Sequence, residues 1–295
     1  MEIREKVPLK DYAWWKIGGP ADYFCQPESI DQVREAAEFA RSRGLPITVL
    51  GGGTNVLISD DGVEGLVICM RKLVGLKADL HDGRLSIEAL AGTPKSEFTK
   101  LFMKEKLAPA LFLCGLPGDI GGGVVMNAGV AEAIEPREFV EITDWVEVLD
   151  TDSLTLKTFK RDELAWTYRH SSGWQPGILV RVGISWPVVV DDDIPKKVKE
   201  ATRRRLERQP LNLPSCGSTF KNPEGHKAGA LIDQAGLKGF QIGGAQVSPK
   251  HANFIVNLGG AKASDVAQVI RRVKQEVQDR YGVTLETEVK FLGRW

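Results

Sequence analysis

The apolar residues change their spacing along this chain, and each change marks an element. Ile30, Val33, Ala36, Ala37 and Ala40 recur on one helical face, so a helix is predicted between Ser29, a suitable N-cap, and Gly44. Pro46-Ile47-Thr48-Val49-Leu50 then reads as a buried strand that delivers the chain into Gly51-Gly52-Gly53-Thr54-Asn55. Residues 85–90 form another predicted strand, and residues 94–106 a helix with proline in its first turn. A strand at 180–190 is followed by Asp191-Asp192-Asp193-Ile194-Pro195 and a charged helix that runs to Arg208 and closes at Gln209-Pro210. The last part predicts a short helix at 228–235, a strand at 251–257, and a long helix at 265–281 capped by Ser264. Val266, Val269, Ile270, Val273 and Val277 form the apolar face of that long helix, and a strand at 284–292 carries Glu288 back. The fold class is therefore α+β or mixed α/β, without a strict alternation of strand and helix.

Length and charge narrow the function. A chain of 295 residues buries roughly 75% of its unfolded surface and divides into two or three packed units. The expected divisions are 1–75, 76–209 and 210–295. Basic and acidic residues number 39 each, which removes any global bias toward nucleic acid or an anionic membrane. The runs Arg203-Arg204-Arg205 and Arg271-Arg272 read as solvated helix faces. Cys25, Cys69, Cys114 and Cys216 are far apart and form no C-x-x-C pair, which favours a reduced, cytoplasmic protein over a disulfide scaffold. No stretch of about 18 apolar residues is present, so no membrane insertion is expected. His81, His170, His226 and His251 form no ligand cluster, so no metal site is expected. The sequence sets no oligomeric state.

The chemistry lies in the glycine-rich and polar motifs. Gly51-Gly52-Gly53-Thr54-Asn55 follows a strand and could present successive amides to phosphate oxygens; it could equally be a tight structural turn. It has neither the Lys-Ser/Thr ending of a phosphate-transfer loop nor the spacing of a Rossmann turn. Gly115-Leu116-Pro117-Gly118-Asp119-Ile120-Gly121-Gly122-Gly123, continuing through Asn127 to Gly129, lets a backbone lie close to a flat ligand or to another backbone.

These motifs, with Lys16-Ile17-Gly18-Gly19-Pro20-Ala21, Tyr168-Arg169-His170-Ser171, Gly217-Ser218-Thr219-Phe220-Lys221-Asn222-Pro223, Ala235-Gly236-Leu237-Lys238-Gly239 and His251-Ala252-Asn253-Phe254-Ile255-Val256-Asn257, occur in one order along nearly the whole chain. In that order they resemble the UDP-N-acetylenolpyruvoylglucosamine reductases, flavoproteins that make UDP-N-acetylmuramate for peptidoglycan. The resemblance implies a two-part FAD-binding region of the non-Rossmann type over 1–75 and 76–209, and an α/β substrate-binding domain over 210–295. It implies FAD held by Ile17, Gly18, Gly51, Gly52, Gly53, Thr54, Asn55, Gly115, Pro117, Gly118, Gly121, Gly122 and Asn127. NADPH would be the reductant.

The resemblance also implies a catalytic trio. Arg169 would engage the enolpyruvyl carboxylate with its rigid cationic fork, although by itself it reads as an ion-pair or cation-π residue beside Tyr168. Ser218 would donate the proton that completes reduction, and Glu288, which alone reads as an exposed terminal glutamate, would stabilise the intermediate or assist proton delivery. Lys221, Asn222, Gln246, Lys250, His251 and Asn253 would contact the sugar nucleotide UDP-N-acetylenolpyruvoylglucosamine. Only Ser171-Ser172-Gly173-Trp174-Gln175-Pro176-Gly177 separates Arg169 from the strand at Val180, so the chain resembles the shorter form of the family, without the extra substrate-covering loop. A flavin-dependent oxidase on the same cofactor fold, or an FAD-stabilised binding module, are the competing readings.

Overall fold

The structure, a computed structural model, describes residues 1–130 and 134–295. Its contacts cluster into two compact units. The first comprises Met1–Arg4, Phe24–Gly52 and Gly65–Arg204; the second comprises Glu5–Tyr23, Gly53–Glu64 and Arg205–Trp295. The contiguous division expected from the sequence thus differs from the contact division at the N-terminal end. Residues 5–23 and 53–64 group with the C-terminal residues because Trp15, Ile17 and Leu57 are buried in the same core as Phe220, Val269, Val273 and Leu285. The boundary expected at 209–210 lies near the observed one at Arg204/Arg205.

In the first unit, the helix Ile30–Ser42 begins where the Ser29 hydroxyl accepts the Gln32 N–H at 3.3 Å, and it buries Val33, Ala36, Ala37 and Ala40. The strand Ile47–Leu50 follows and pairs in parallel with Leu66, Val67, Ile68 and Cys69. A five-stranded antiparallel sheet makes up much of the rest, in the order Leu76–His81, Arg84–Leu90, Gly177–Pro187, Thr143–Asp150, Leu156–Lys160. Arg84–Leu90 alternates, with Leu85, Ile87 and Ala89 buried, as one covered face requires. Gly177–Pro187 is buried almost continuously because it is the central strand and the helix Ile120–Val125 packs on it. Lys95–Lys104 is the helix predicted at 94–106, with Pro94 at its N-cap and Phe98 and Phe102 inside.

In the second unit, the helix Ala263–Tyr281 buries Val266, Val269, Ile270, Val273 and Val277 and stops at Gly282, whose φ of +67° takes the left-handed turn of a C-terminal stop. Its start corrects the sequence expectation. Ser264 is not the cap but lies inside the first turn; the Asp60 carboxylate accepts the N–H groups of Ala263 at 2.7 Å and Ser264 at 2.9 Å. The strand expected at 251–257 shortens to Ile255–Asn257, the edge of a three-stranded antiparallel sheet with Ala245–Val247 and Gln241–Ile242. The expected return at 284–292 is regular only at Lys290–Leu292, which pairs in parallel with Val56–Ile58. The four cysteines are free thiols. No helix among the described residues is long and apolar enough to cross a membrane, and no metal-ligating cluster occurs among them.

Partial burial penalises the Asp60 carboxylate, but its two helix amides outweigh this and hold its pKa below the usual carboxylate value. Its contribution to stability is therefore present at neutral pH and is lost as pH falls through the depressed value. Asp60→Ala is expected to cost about 1 kcal/mol at pH 7 in a denaturation series. That difference from the parent should shrink toward zero under strongly acidic conditions.

Candidate active site

Two of the motif glycines lie in the first unit directly after the strand Ile47–Leu50. A Cβ on Gly51 would collide with the Asp119 carboxylate, and one on Gly52 would sit 2.9 Å from the Gly118 Cα. Asp119 accepts the Gly52 N–H and, at 2.6 Å, the Gly122 N–H, so one carboxylate caps the helix Ile120–Val125 and ties the two glycine-rich loops together. Arg71 donates to the Gly52 carbonyl at 2.8 Å. Protein packing alone therefore requires glycine at 51 and 52. Asp119 stood inside the quoted motif without a role; an Asp immediately before a helical Ile-Gly-Gly-Gly run was the available signal.

Among the residues expected to hold the cofactor, Gly115, Pro117 and Gly118 are half-buried, while Gly121 is buried against Ala91. Asn127, also expected at the cofactor, is engaged by the protein itself. It is buried, its amide donates to Glu138 and to the Thr167 carbonyl, both at 3.1 Å, and its oxygen accepts the Val140 N–H at 3.0 Å. The side chain organises the loops around it and presents no surface to a ligand.

Arg169 occupies the two-residue turn between Ala165–Thr167 and His170–Ser172, with φ of +60°. Its guanidinium is buried, donates to the Gly129 carbonyl at 2.9 Å, lies 3.4 Å from a Glu138 oxygen and stacks 4.6 Å from the Tyr168 ring centroid. The ion pair and cation-π stack read from the local sequence are thus both present. Glu138 bridges Asn127 and Arg169, and no sequence signal pointed to it because 31 residues separate it from Arg169. Val125 and Tyr168 leave apolar surface uncovered, at 40% and 42% exposure.

In the second unit, the Ser218 segment is held from both sides. On one side, Glu288 N–H donates to the Thr219 carbonyl and Lys221 N–H to the Glu286 carbonyl, each at 2.9 Å, around an antiparallel bridge of Phe220 with Thr287. On the other side, Thr219 N–H donates to the Asn253 carbonyl at 2.8 Å. The Asn253 amide then imitates a strand: its oxygen accepts the Phe220 N–H and its nitrogen donates to the Phe220 carbonyl, both at 2.9 Å. Ser218 and Glu288 therefore lie on neighbouring antiparallel segments. Asn55 joins them, because its side chain donates to the Glu288 carbonyl at 3.1 Å and its own carbonyl accepts the Lys290 N–H at 3.0 Å.

A Cβ on Gly217, next to Ser218, would meet nothing within 4 Å. Gly53 is different: its φ is +66° and a Cβ would collide with the Tyr12 carbonyl, so no other residue fits. The Ile17 side chain is buried in the core. Cys216 sits beside the loop, donates to the Val56 carbonyl at 3.4 Å, and is pushed by burial up to about 12, which makes it an inert thiol.

The expected substrate contacts mostly have partners of their own. Asn253 is buried in the clamp just described, and the exposed Lys250 donates to the Leu206 carbonyl at 2.6 Å, at the end of the helix Ile194–Arg208. Asn222 accepts the Ala228 N–H at 3.0 Å and so caps the helix Ala228–Gln234. Gln246 donates to the Gly239 carbonyl, and Lys221 lies 3.2 Å from Glu286 at the surface. Burial and the nearby Lys238 hold the His251 imidazole below its ordinary pKa. In its neutral form Nδ1 accepts the Asn253 N–H at 3.3 Å.

With this geometry in place, comparison with known proteins identifies the family. A domain model described as UDP-N-acetylenolpyruvoylglucosamine reductase, C-terminal domain, matches residues 209–292, and an FAD binding domain matches residues 21–158. UDP-N-acetylenolpyruvoylglucosamine reductase from Synechococcus sp. (strain WH7803) is 40% identical over 99% of this chain and 93% of its own length. The enzyme of that name from Limosilactobacillus reuteri is 40% identical over 100% and 96%.

The chain belongs to the UDP-N-acetylenolpyruvoylglucosamine reductase family.

The crystal structure of the Thermus caldophilus reductase superposes with a TM-score of 0.80 at 33% identity, covering 99% of this chain and all of that one. FAD is the cofactor that goes with the family and with the matched N-terminal domain. Val125 and Tyr168 leave apolar surface exposed and Gly115–Gly118 are half-buried, which is compatible with a largely apolar ring system in this unit.

The clamp on Ser218 has a measurable consequence. Asn253→Ala leaves the Phe220 N–H and carbonyl buried without these partners and is expected to cost about 2 kcal/mol or more in chemical denaturation. Asn253→Asp keeps an acceptor, loses the donor and buries a charge, so it should be no better tolerated.

Proposed function

We propose that this chain reduces the enolpyruvyl ether of UDP-N-acetylenolpyruvoylglucosamine to the lactyl ether of UDP-N-acetylmuramate, with NADPH as reductant. The observation that carries the reading, within a family whose members bear this name, is the backbone pairing that puts the Ser218 and Glu288 segments side by side.

Bound FAD supplies the hydride chemistry that amino-acid side chains lack. The chain's own residues do the rest. Gly51, Gly53, Thr54 and Asn55, with the half-buried Gly115, Pro117 and Gly118, would hold the cofactor through amides and short polar groups, Gly52 giving its own N–H to Asp119. Arg169 fixes the enolpyruvyl carboxylate; it arrives already oriented by Gly129 and stacked on Tyr168, and Glu138 offers it a carboxylate at a hydrogen-bond distance long enough to yield to a better-placed anion. Ser218 delivers the proton to the carbon bearing the ether oxygen. A serine hydroxyl is a weak acid, so it transfers efficiently only to a strongly basic carbon held close to it, which is what a doubly anchored segment beside an open Gly217 provides. Glu288, fixed through its own backbone to Thr219 and Asn55, stabilises the charge that develops as the proton moves.

Two anaerobic half-reactions followed near about 450 nm, the flavin absorption band on which this assignment depends, test the function. NADPH should bleach the bound flavin and UDP-N-acetylenolpyruvoylglucosamine should restore it, with the lactyl ether as product. Restoration by oxygen but not by the sugar nucleotide would overturn the assignment. Initial-rate plots at varied NADPH and sugar nucleotide should be parallel, as sequential use of one pocket demands.

Variants divide the roles. Ser218→Ala should keep FAD and its reduction by NADPH while slowing reoxidation by the sugar nucleotide at least about 10²-fold. Arg169→Lys keeps the charge and loses the fork, so it should raise KM for the sugar nucleotide and lower kcat, with reduction by NADPH little changed.

A further inference from the structure

The glycine loops of the first unit enclose two buried charges that the proposed chemistry leaves unused. Lys95, the first residue of the helix Lys95–Lys104, and Asp119 are each only 5% exposed. The Lys95 ammonium donates to the Pro117 carbonyl at 2.7 Å and lies 5.6 Å from the Phe139 ring centroid, while its backbone N–H donates to the Gly118 carbonyl at 3.0 Å. Asp119 holds the amides of Gly52 and Gly122, and it bridges to Pro94 in antiparallel fashion. The two side chains thus fasten three segments together: the end of the glycine loop at 51–52, the helix start at 94–95, and the turn at 117–122.

Their electrostatics are coupled. Burial lowers the Lys95 pKa to about 8 while the Asp119 charge works to raise it. A carboxylate tied into loops that receive a dinucleotide is a liability, because the diphosphate is itself anionic. The same carboxylate is also the hydrogen-bonding link that keeps Gly51-Gly52 packed on Gly118. A neutral tether would avoid the repulsion; here a buried cation supplies the compensation.

We propose that Asp119 is a positioning residue that sets the spacing of the 51–52 and 117–122 loops for FAD, and that Lys95 cancels its charge so that the tether does not repel the cofactor. The proposal rests on the reading that FAD occupies these loops. It assigns neither residue a direct contact with the cofactor.

The test is FAD binding to the apo-protein, measured by quenching of flavin fluorescence, with folding followed by far-ultraviolet circular dichroism. Asp119→Ala should weaken FAD about tenfold or more, the scale of one lost charge-assisted hydrogen bond. Lys95→Met should also weaken it, because the tether is kept but its charge is exposed to the cofactor. Asp119→Asn keeps one acceptor and loses the other, so it should itself weaken FAD, but the loss caused by Lys95→Met should be smaller in the Asp119→Asn background than in wild type, a coupling that simple loss of packing would not produce. Equal affinity of Asp119→Ala and wild type, or a Lys95→Met loss of the same size in the wild-type and Asp119→Asn backgrounds, overturns the proposal while leaving FAD binding itself established. Wild type that binds no FAD removes the functional reading instead. Should the single variants fail to fold, hydrogen exchange on the wild-type apo-protein decides: the Gly52 and Gly122 amides are expected to be protected before FAD is added, and rapid exchange at both overturns the tether.

Discussion

The chemistry proposed for the second unit depends on one short stretch of backbone being held from both edges. Thr219, Phe220 and Lys221 receive a strand-like partner in residues 286–288 and a side-chain imitation of one in Asn253. A serine hydroxyl has little acidity to contribute, so its usefulness depends on placement, and placement is what this arrangement supplies. The same bonds bring the Glu288 backbone to the stretch that carries Ser218, and Asn55 extends the connection to the end of the first glycine motif. The anchoring runs through backbone and takes no side-chain atom of Ser218 or Glu288 into the pairing.

Arg169 in the first unit is placed by a comparable device. A two-residue turn with a left-handed arginine is costly for a side chain bearing Cβ, and it is held by the surrounding hairpin, by Gly129 and by Glu138. Asn127 secures Glu138 and the Thr167 carbonyl at the base of that turn. Ser218 and Arg169 are therefore each set by a buried amide, Asn253 in one unit and Asn127 in the other, that was expected to touch the ligand.

Much of the fold was legible because it rests on local rules. Ser29 caps its helix, Arg84–Leu90 alternates on a half-covered sheet, and Gly282 ends the last helix, each as its neighbours in sequence dictate. What escaped was carried by partners remote in the chain. Asp60 caps a helix 203 residues away, and nothing near Ser264 could reveal that a better acceptor would arrive. Trp15 donates its indole N–H to the Ile255 carbonyl across 240 residues, which is why the N-terminal segment joins the C-terminal core and a contiguous division by sequence places it elsewhere. The motif order was sufficient to find the family, because order along a chain is itself a long-range constraint. The motifs could not separate residues that hold a ligand from residues that hold the residues that do.

That separation follows from the amount of irregular backbone a glycine-rich site contains. A loop such as 51–55 or 115–129 carries one donor and one acceptor per residue and has no neighbouring strand to pair them, yet much of it is buried. Polar side chains must then stand in for the missing strand. Asp119 does so for Gly52 and Gly122, Ser171 for the carbonyls of Val124 and Val125, and Asn257 for Trp15, Gly259 and Ala261. Side chains of this kind are fixed in identity, because an apolar replacement would strand the backbone groups they satisfy. They consequently appear inside the same motifs as the residues that meet cofactor or substrate. Asn127 and Asn253 are buried and hydrogen-bonded to backbone on both faces of the amide, whereas Ser218 and Glu288 are half-buried on segments held through backbone.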